Sequence, residues 1–170
     1  MKELETKRLK LRTYEKRDFD VLKEIWIDYM STHKEIEKKD LLLIDSWIAD
    51  FSSKDYSWVA EEKKSGEPIG NINVIKISKK HKICELAYAV RSNARRNGYA
   101  TEMLSSVIDY LLYEEGFHVV EASYYSGNIN SGKVMEKAGM QKEAVHIDRK
   151  YNFKTNQYEN LIYYYAISNK

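Results

Sequence analysis

Two glycine-containing stretches carry the residue types that can hold a phosphate. In Arg95-Arg96-Asn97-Gly98-Tyr99-Ala100, a strand-like segment ending at Val90 gives way to a helical pattern through Ala100, Met103, Leu104, Val107, Ile108 and Leu111. N–H groups at a helix start have no intrahelical acceptors and sit at the positive end of the dipole, so they suit a pyrophosphate. Gly98 lets the backbone come close, small Ala100 keeps the helix start clear, and Arg95 and Arg96 add charge-assisted donors. The second stretch, Gly127-Asn128-Ile129-Asn130-Ser131-Gly132-Lys133, matches the G-x-x-x-x-G-K of a nucleotide-binding loop and would make the chain a nucleotide hydrolase. Against that, Val134 stands where a Ser or Thr hydroxyl would bind Mg²⁺, and the chain after Lys133 reads as strands closing a sheet. The plain structural readings are a surface turn with two solvated arginines and a helix capped by Asn128.

Other reactive side chains are sparse. Cys84 is the only cysteine, which excludes an intrachain disulfide or a multi-cysteine zinc site. It alternates with Leu86, Tyr88 and Val90 on one strand face, so it reads as a core thiol and not a nucleophile. His33, His81, His118 and His146 are scattered, and no metal site is expected.

These residues must be positioned by a modest number of elements. Leu9 and Leu11 alternate with basic residues as a half-buried first strand. A helix is expected from about Arg17, with Val21, Leu22, Ile25, Trp26 and Tyr29 on one face; a charged link at 34–39 precedes a second helix at 41–51. Strand periodicity follows at 58–60, 69–77 and 83–90, separated by turns with Gly66, Pro68 and the 78–81 segment, which argues an antiparallel meander. Helix (99–115), strand (119–125), helix (130–138) and two strands (141–147, 159–167) complete an α/β fold around one mixed sheet. At 170 residues a single domain over 1–170 is expected. A net charge of +2 is too weak to imply nucleic-acid binding, and no apolar run approaches the ~20 residues of a membrane span. The charged first residues lack a secretory pattern, so a cytoplasmic protein is expected.

Taken together, Arg95-x-x-Gly98-x-Ala100, then Asn128-x-x-Ser131, then Gly139-Met140 closing the next helix resemble the GNAT superfamily of N-acetyltransferases. The likeness runs from Leu4-Glu5-Thr6-Lys7-Arg8-Leu9 through Trp58-Val59-Ala60 and Ile69-Gly70 to Tyr163-Tyr164-Tyr165-Ala166-Ile167, and is nearest the branch that acetylates N-terminal amines of ribosomal proteins. The resemblance implies a mixed, mostly antiparallel sheet splayed in the middle and flanked by about four helices. It implies acetyl-CoA as co-substrate, lying in the gap between the strand ending at Val90 and the strand 119–125. Backbone groups of Ala89 and Val90 would hold the pantetheine arm, and amides of Arg96, Asn97, Gly98, Tyr99, Ala100 and Thr101 the pyrophosphate. Asn128, with Ser131 and Lys133, would meet the pantetheine and the adenosine phosphate end.

The same resemblance implies direct acetyl transfer to a primary amine: a protein N-terminus, or a small molecule such as a polyamine or aminoglycoside. An α-amine (pKa ~8) needs less help to lose its proton than a lysine-like amine (pKa ~10.4). The superfamily's usual acid is a tyrosine seven residues beyond the Asn, where this chain has Met135; the nearest branch offers a serine, matched by Ser131. That branch can place a basic glutamate on the strand after Gly139-Met140, but the corresponding position is Lys150. Glu85, on the strand reaching the thioester, is the candidate proton acceptor, with Asp148 behind it. A non-catalytic acetyl-CoA-binding regulator is the alternative raised by Met135 and Lys150, and either a monomer or a homodimer is compatible. Asp40, Asp45, Asp50 and Asp55 recur every five residues, which does not bring them to one helix face, so they read as solvated surface.

Overall fold

The computed structural model describes residues 2–168. In chain order the elements are β1 (Leu4–Glu5), β2 (Leu9–Arg12), α1 (Phe19–Ser31), α2 (Lys38–Ser52), β3 (Ser57–Glu62), β4 (Pro68–Ser78), β5 (Ile83–Val90), α3 (Tyr99–Asp109), β6 (Val119–Tyr125), α4 (Ile129–Lys137), β7 (Gln141–Asn152) and β8 (Gln157–Ile167). All eight strands form one sheet in the order β1-β2-β3-β4-β5-β6-β8-β7. Every neighbouring pair is antiparallel except β5 with β6. The mixed, mostly antiparallel sheet expected from the motifs is therefore present, with four α-helices among the described residues.

Strand alternation divides the core between two faces. Leu9, Leu11, Trp58, Ala60, Ile72, Cys84 and Leu86 point to one side, where α3 covers them with Met103, Leu104, Val107 and Ile108 at helical spacing. Val59 and the partly buried Ala89 point to the other side and meet α1 and α2 through Leu22, Ile25, Ile44 and Ile48. Cys84 is 1% exposed, and burial pushes its thiol up to about 12. α3 stops at Asp109 instead of running on to 115, because residues Tyr110–Glu114 form a wider π turn.

The charged link at 34–39 is more ordered than its composition suggests. Glu37 and Asp40 form a reciprocal cap at the start of α2, and Lys34 Nζ lies 2.5 Å from Asp40 Oδ1. Asp40 is consequently buried, which corrects its reading as solvated surface. A second buried carboxylate fixes the entry to α1: Arg12 donates to both oxygens of Asp18 at 2.8 and 2.9 Å and to Glu61 at 2.7 Å.

Two outcomes follow from these placements. Arg12→Met would leave Asp18 as an uncompensated buried charge, so urea unfolding should show a loss of about 3–5 kcal/mol. Cys84 should ignore an aromatic disulfide reagent in native buffer and react stoichiometrically once the chain is unfolded, since the thiolate is the reactive species.

Candidate active site

The central feature is a split in the sheet. β5 and β6 pair in parallel only over four steps, from Ile83↔Val119 to Leu86↔Ala122. Beyond that point β5 stays with β4 as far as Gly70↔Val90, and β6 stays with β8 as far as Tyr125↔Leu161. A bulge between Val74 and Lys76, opposite Leu86 and Glu85, lies at the place where the strands part; bulges bend a strand and increase its twist. Because Arg91 N–H donates to Ile69 O at 2.8 Å, ladder alternation turns the backbone groups of Val90 and Tyr88 into the split and those of Ala89 toward β4. Val90 and Tyr88 therefore turn their backbone groups to the split, while those of Ala89, expected to hold the same arm, are taken up in the ladder with β4. Gly70 is required for this close pairing, since a Cβ there would lie 2.5 Å from Ala89 O.

At the open end of the split stands the start of α3. Gly98 has φ 80° and Arg96 φ 64°, left-handed values that swing the chain into the helix. The first helical bond is Glu102 N–H to Gly98 O at 3.1 Å. Among the described residues, the N–H groups of 96–101 find no protein acceptor, so six consecutive donors are available at the positive end of a helix. The turn is braced from behind by Arg8, which donates to Asn97 O at 2.8 Å and Glu102 at 2.7 Å and lies 4.4 Å over the Tyr99 ring. Arg95 is committed elsewhere: its Nε donates to Val90 O at 3.0 Å and its guanidinium pairs with Asp28 of α1. Arg96 is exposed and makes no ion pair within 4.0 Å among the described residues. Arg8 carries no local signal for this role in the sequence, because its partners Asn97 and Glu102 lie far along the chain.

The second motif enters from the other lip. Asn128 occupies the cap position of α4 without a side-chain capping bond, and Ser131 and Lys133 lie within the helix. Gly132 is also helical, so Gly127 and Lys133 do not frame a loop, and the nucleotide-loop geometry is absent. Both glycines have packing reasons: a Cβ at Gly132 would lie 2.6 Å from the Tyr124 hydroxyl, and one at Gly127 2.7 Å from Glu159 Oε1. Ser131 Oγ shares a 2.9 Å hydrogen bond with the Tyr88 hydroxyl, which also donates to Ser131 O at 3.1 Å. Burial pushes the Tyr88 phenol well above its ordinary range. Met135 is sealed in the core. The split therefore gains its phenol from β5, a residue that strand alternation alone had assigned to packing.

On the α1–α2 side, Glu85 lies at the apex. Lys76 Nζ is 2.6 Å from its Oε2, and Ser123 donates to Oε1 at 3.0 Å. Both oxygens thus have donors, and Glu85 still belongs to the paired part of the sheet, level with Glu121. Asp148 is exposed at a β7 bulge with φ 53°. Lys150 lies over the rings of Tyr125 and Tyr29, near Glu159 and His33. Of these groups, the sequence alone points to Glu85, Asp148 and Lys150. No cluster of three or more potential metal-binding side chains occurs among the described residues.

A family model described as an acetyltransferase (GNAT) domain matches residues 8–141. The chain is 28% identical over 149 residues to the uncharacterized N-acetyltransferase YoaA of Bacillus subtilis, covering 84% of each. Its fold matches a GNAT-family acetyltransferase from Bacillus anthracis with a TM-score of 0.83 at 19% identity, covering 99% of this chain and 100% of that one. It also matches a ribosomal-protein-S5-alanine acetyltransferase from Vibrio fischeri with a TM-score of 0.78 at 15% identity, covering 100% and 98%. A sheet that opens beside a helix start rich in unclaimed amides, together with the family match over most of its length, makes this chain a member of the GNAT acetyltransferases and an acyltransferase enzyme.

Proposed function

We propose that the chain works as one catalytic unit over residues 1–170 in the cytoplasm, moving an acetyl group from acetyl-CoA directly to a primary amine. The observation that carries this reading is the run of unclaimed N–H groups at 96–101, placed at the mouth of a split whose strand edges are unpaired. These residues fit the co-substrate. The 96–101 amides suit its pyrophosphate, the Val90 and Tyr88 backbone its amide-bearing arm, and Asn128, Ser131 and Lys133 its distal part. Arg95 contributes by holding the turn against Val90 O and Asp28.

When bound, acetyl-CoA supplies an activated acyl group. The protein's own task is orientation, charge stabilisation and proton movement. A backbone N–H facing the split at Tyr88 or Val90 would polarise the acyl carbonyl. Ser131, hydrogen-bonded to the Tyr88 phenol, is the group suited to give a proton to the departing sulfur. Glu85 acts as a positioning residue that holds Ser123 at the apex. The acceptor enters from the α1–α2 side and is a protein N-terminus or a small amine. Direct transfer agrees with Cys84 being closed off in the core.

Release of free thiol from acetyl-CoA, followed with a panel of peptides, polyamines and aminoglycosides, tests the reading. Release driven by at least one amine is expected; binding of ATP with none of acetyl-CoA would overturn it. Gly98→Val forces a β-branched residue into a left-handed conformation, a cost of ~1–2 kcal/mol, and should weaken acetyl-CoA binding by about tenfold in calorimetry. Ser131→Ala should lower kcat by about 10²-fold.

A further inference from the structure

Among the described residues, Lys150 is the one lysine that is both half-buried and outside any ion pair within 4.0 Å. The other half-buried lysines, Lys10, Lys23 and Lys34, are paired with Glu3, Asp45 and Asp40. Lys150 Nζ makes no hydrogen bond among these residues either; it rests 4.5 Å over the Tyr125 ring and 5.4 Å over the Tyr29 ring. Ring faces attract a cation but accept no conventional hydrogen bond from it, so the nitrogen is held loosely and stays accessible.

Two features of β7 bring it there. Lys150 stands opposite Glu159 in the ladder with β8, so both side chains leave the sheet on the same face, that of α1. The register shift between His146 and Lys150, with Asp148 at φ 53°, re-aims the strand just ahead of Lys150. Its four-carbon stem then crosses β8 and ends over Tyr125. Tyr125 is the last residue of β6 and still pairs with Leu161, so the amine stands at the lip of the split. Carrying the β5–β6 register two steps past Leu86↔Ala122 sets Tyr88, whose backbone faces the split, level with Tyr124. An acyl carbonyl held at Tyr88 and the Lys150 amine thus occupy one level of the same opening.

A lysine attacks a thioester only as the neutral amine. Burial among the rings holds the Lys150 ammonium below its ordinary range, and Glu159 opposes this in part from beyond ion-pair distance. The groups around it are Tyr125 of β6, Tyr29 of α1, Glu159 of β8 and His33 after α1.

We propose that Lys150 is an acetylation site of the chain's own split: when no external amine is present, the acetyl group of bound acetyl-CoA passes to Lys150 Nζ of the same molecule. The proposal rests on the acetyl-transfer reading above. The Nζ lone pair forms an N–C bond to the acyl carbon, and the C–S bond breaks. Ser131 protonates the departing sulfur, while the proton released from nitrogen leaves to solvent, from which Ser131 is resupplied. One acetyl-CoA gives one free thiol and one acetyl-lysine. The product is a neutral amide, so the lip of the split loses its cation.

The test is incubation of the full, unmodified chain with acetyl-CoA and no added amine, followed by mass spectrometry of its peptides. Lys150 should gain one acetyl group at least about tenfold faster than any other lysine, since it alone is held beside the thioester. The rate should not depend on protein concentration, should fall when free CoA competes, and should lose its preference for Lys150 when the chain is unfolded in urea. Lys150→Arg should abolish the fast phase, whereas Lys142→Arg, on the exposed part of the same strand, should leave it intact. Acetylation spread over the exposed lysines, or a rate that rises with protein concentration, overturns the proposal. If the protein binds acetyl-CoA and Lys150 stays unmodified, self-acetylation alone is overturned. If the protein binds no acetyl-CoA, the acetyl-transfer reading falls and takes this one with it.

Discussion

The parting of β5 from β6 after four parallel pairs is the constraint on which the rest of the molecule depends. On their outer sides both strands stay paired past the point of parting, β5 with β4 as far as Gly70↔Val90 and β6 with β8 as far as Tyr125↔Leu161, so the gap runs between two otherwise intact halves of the sheet. Tyr88 and Ser131 hold the two lips at a fixed distance by a hydrogen bond that runs from β5 to α4. The lost ladder bonds are a cost to stability, since each buried backbone donor or acceptor needs a partner. The large shared core around Trp58, Leu104, Leu111 and Val120 offsets that cost on the α3 side.

Three helix ends converge on this opening, and each brings something different. The start of α3 presents amides, the start of α4 presents Asn128 and Ser131, and the end of α1 with the turn after it presents Tyr29 and His33. They are held in place by polar contacts between segments remote in sequence: Arg8 behind the α3 turn, Arg12 and Asp18 at the entry to α1, and Arg91 and Arg95 against Glu24 and Asp28 on α1 itself. The site is thus braced by arginines reaching across elements, a role suited to a planar group with several fixed donors.

Much of this was legible in the sequence where the signal is local. The limits of β5 and β6, the α3 start and the core position of Cys84 all follow from periodicity and one glycine, because a strand face or a helix start is decided by residues within a few positions. The phosphate turn itself was visible, but the role of Arg95 was not. A side chain four residues from a helix start can meet a ligand or pair with a neighbouring helix, and only the placement of Asp28 decides. The grouping of His33, Lys150 and Glu159 was hidden for a further reason. Register shifts between His146 and Lys150, with Asp148 at φ 53°, break the two-residue alternation that would otherwise assign faces along β7. Likewise Asp40 looked like one acid in a five-residue series, and its burial depends on a cap whose partner, Glu37, lay in a stretch of charge.

An open seam in the middle of a sheet is also a statement about how the folded state responds to its surroundings. Edge strands elsewhere are guarded by charge, bulges or cover, but the edges at 87–90 and 123–125 face each other across a gap too wide to pair. A ligand that lies along both edges acts as the strand the sheet lacks, and it binds the folded chain but not the unfolded one. By mass action, a hundredfold excess over its dissociation constant adds about 2.7 kcal/mol to unfolding. The amount of intact protein is thereby coupled to the supply of the molecule that fills the seam, so that scarcity of that molecule would show itself first as a shorter lifetime of the chain.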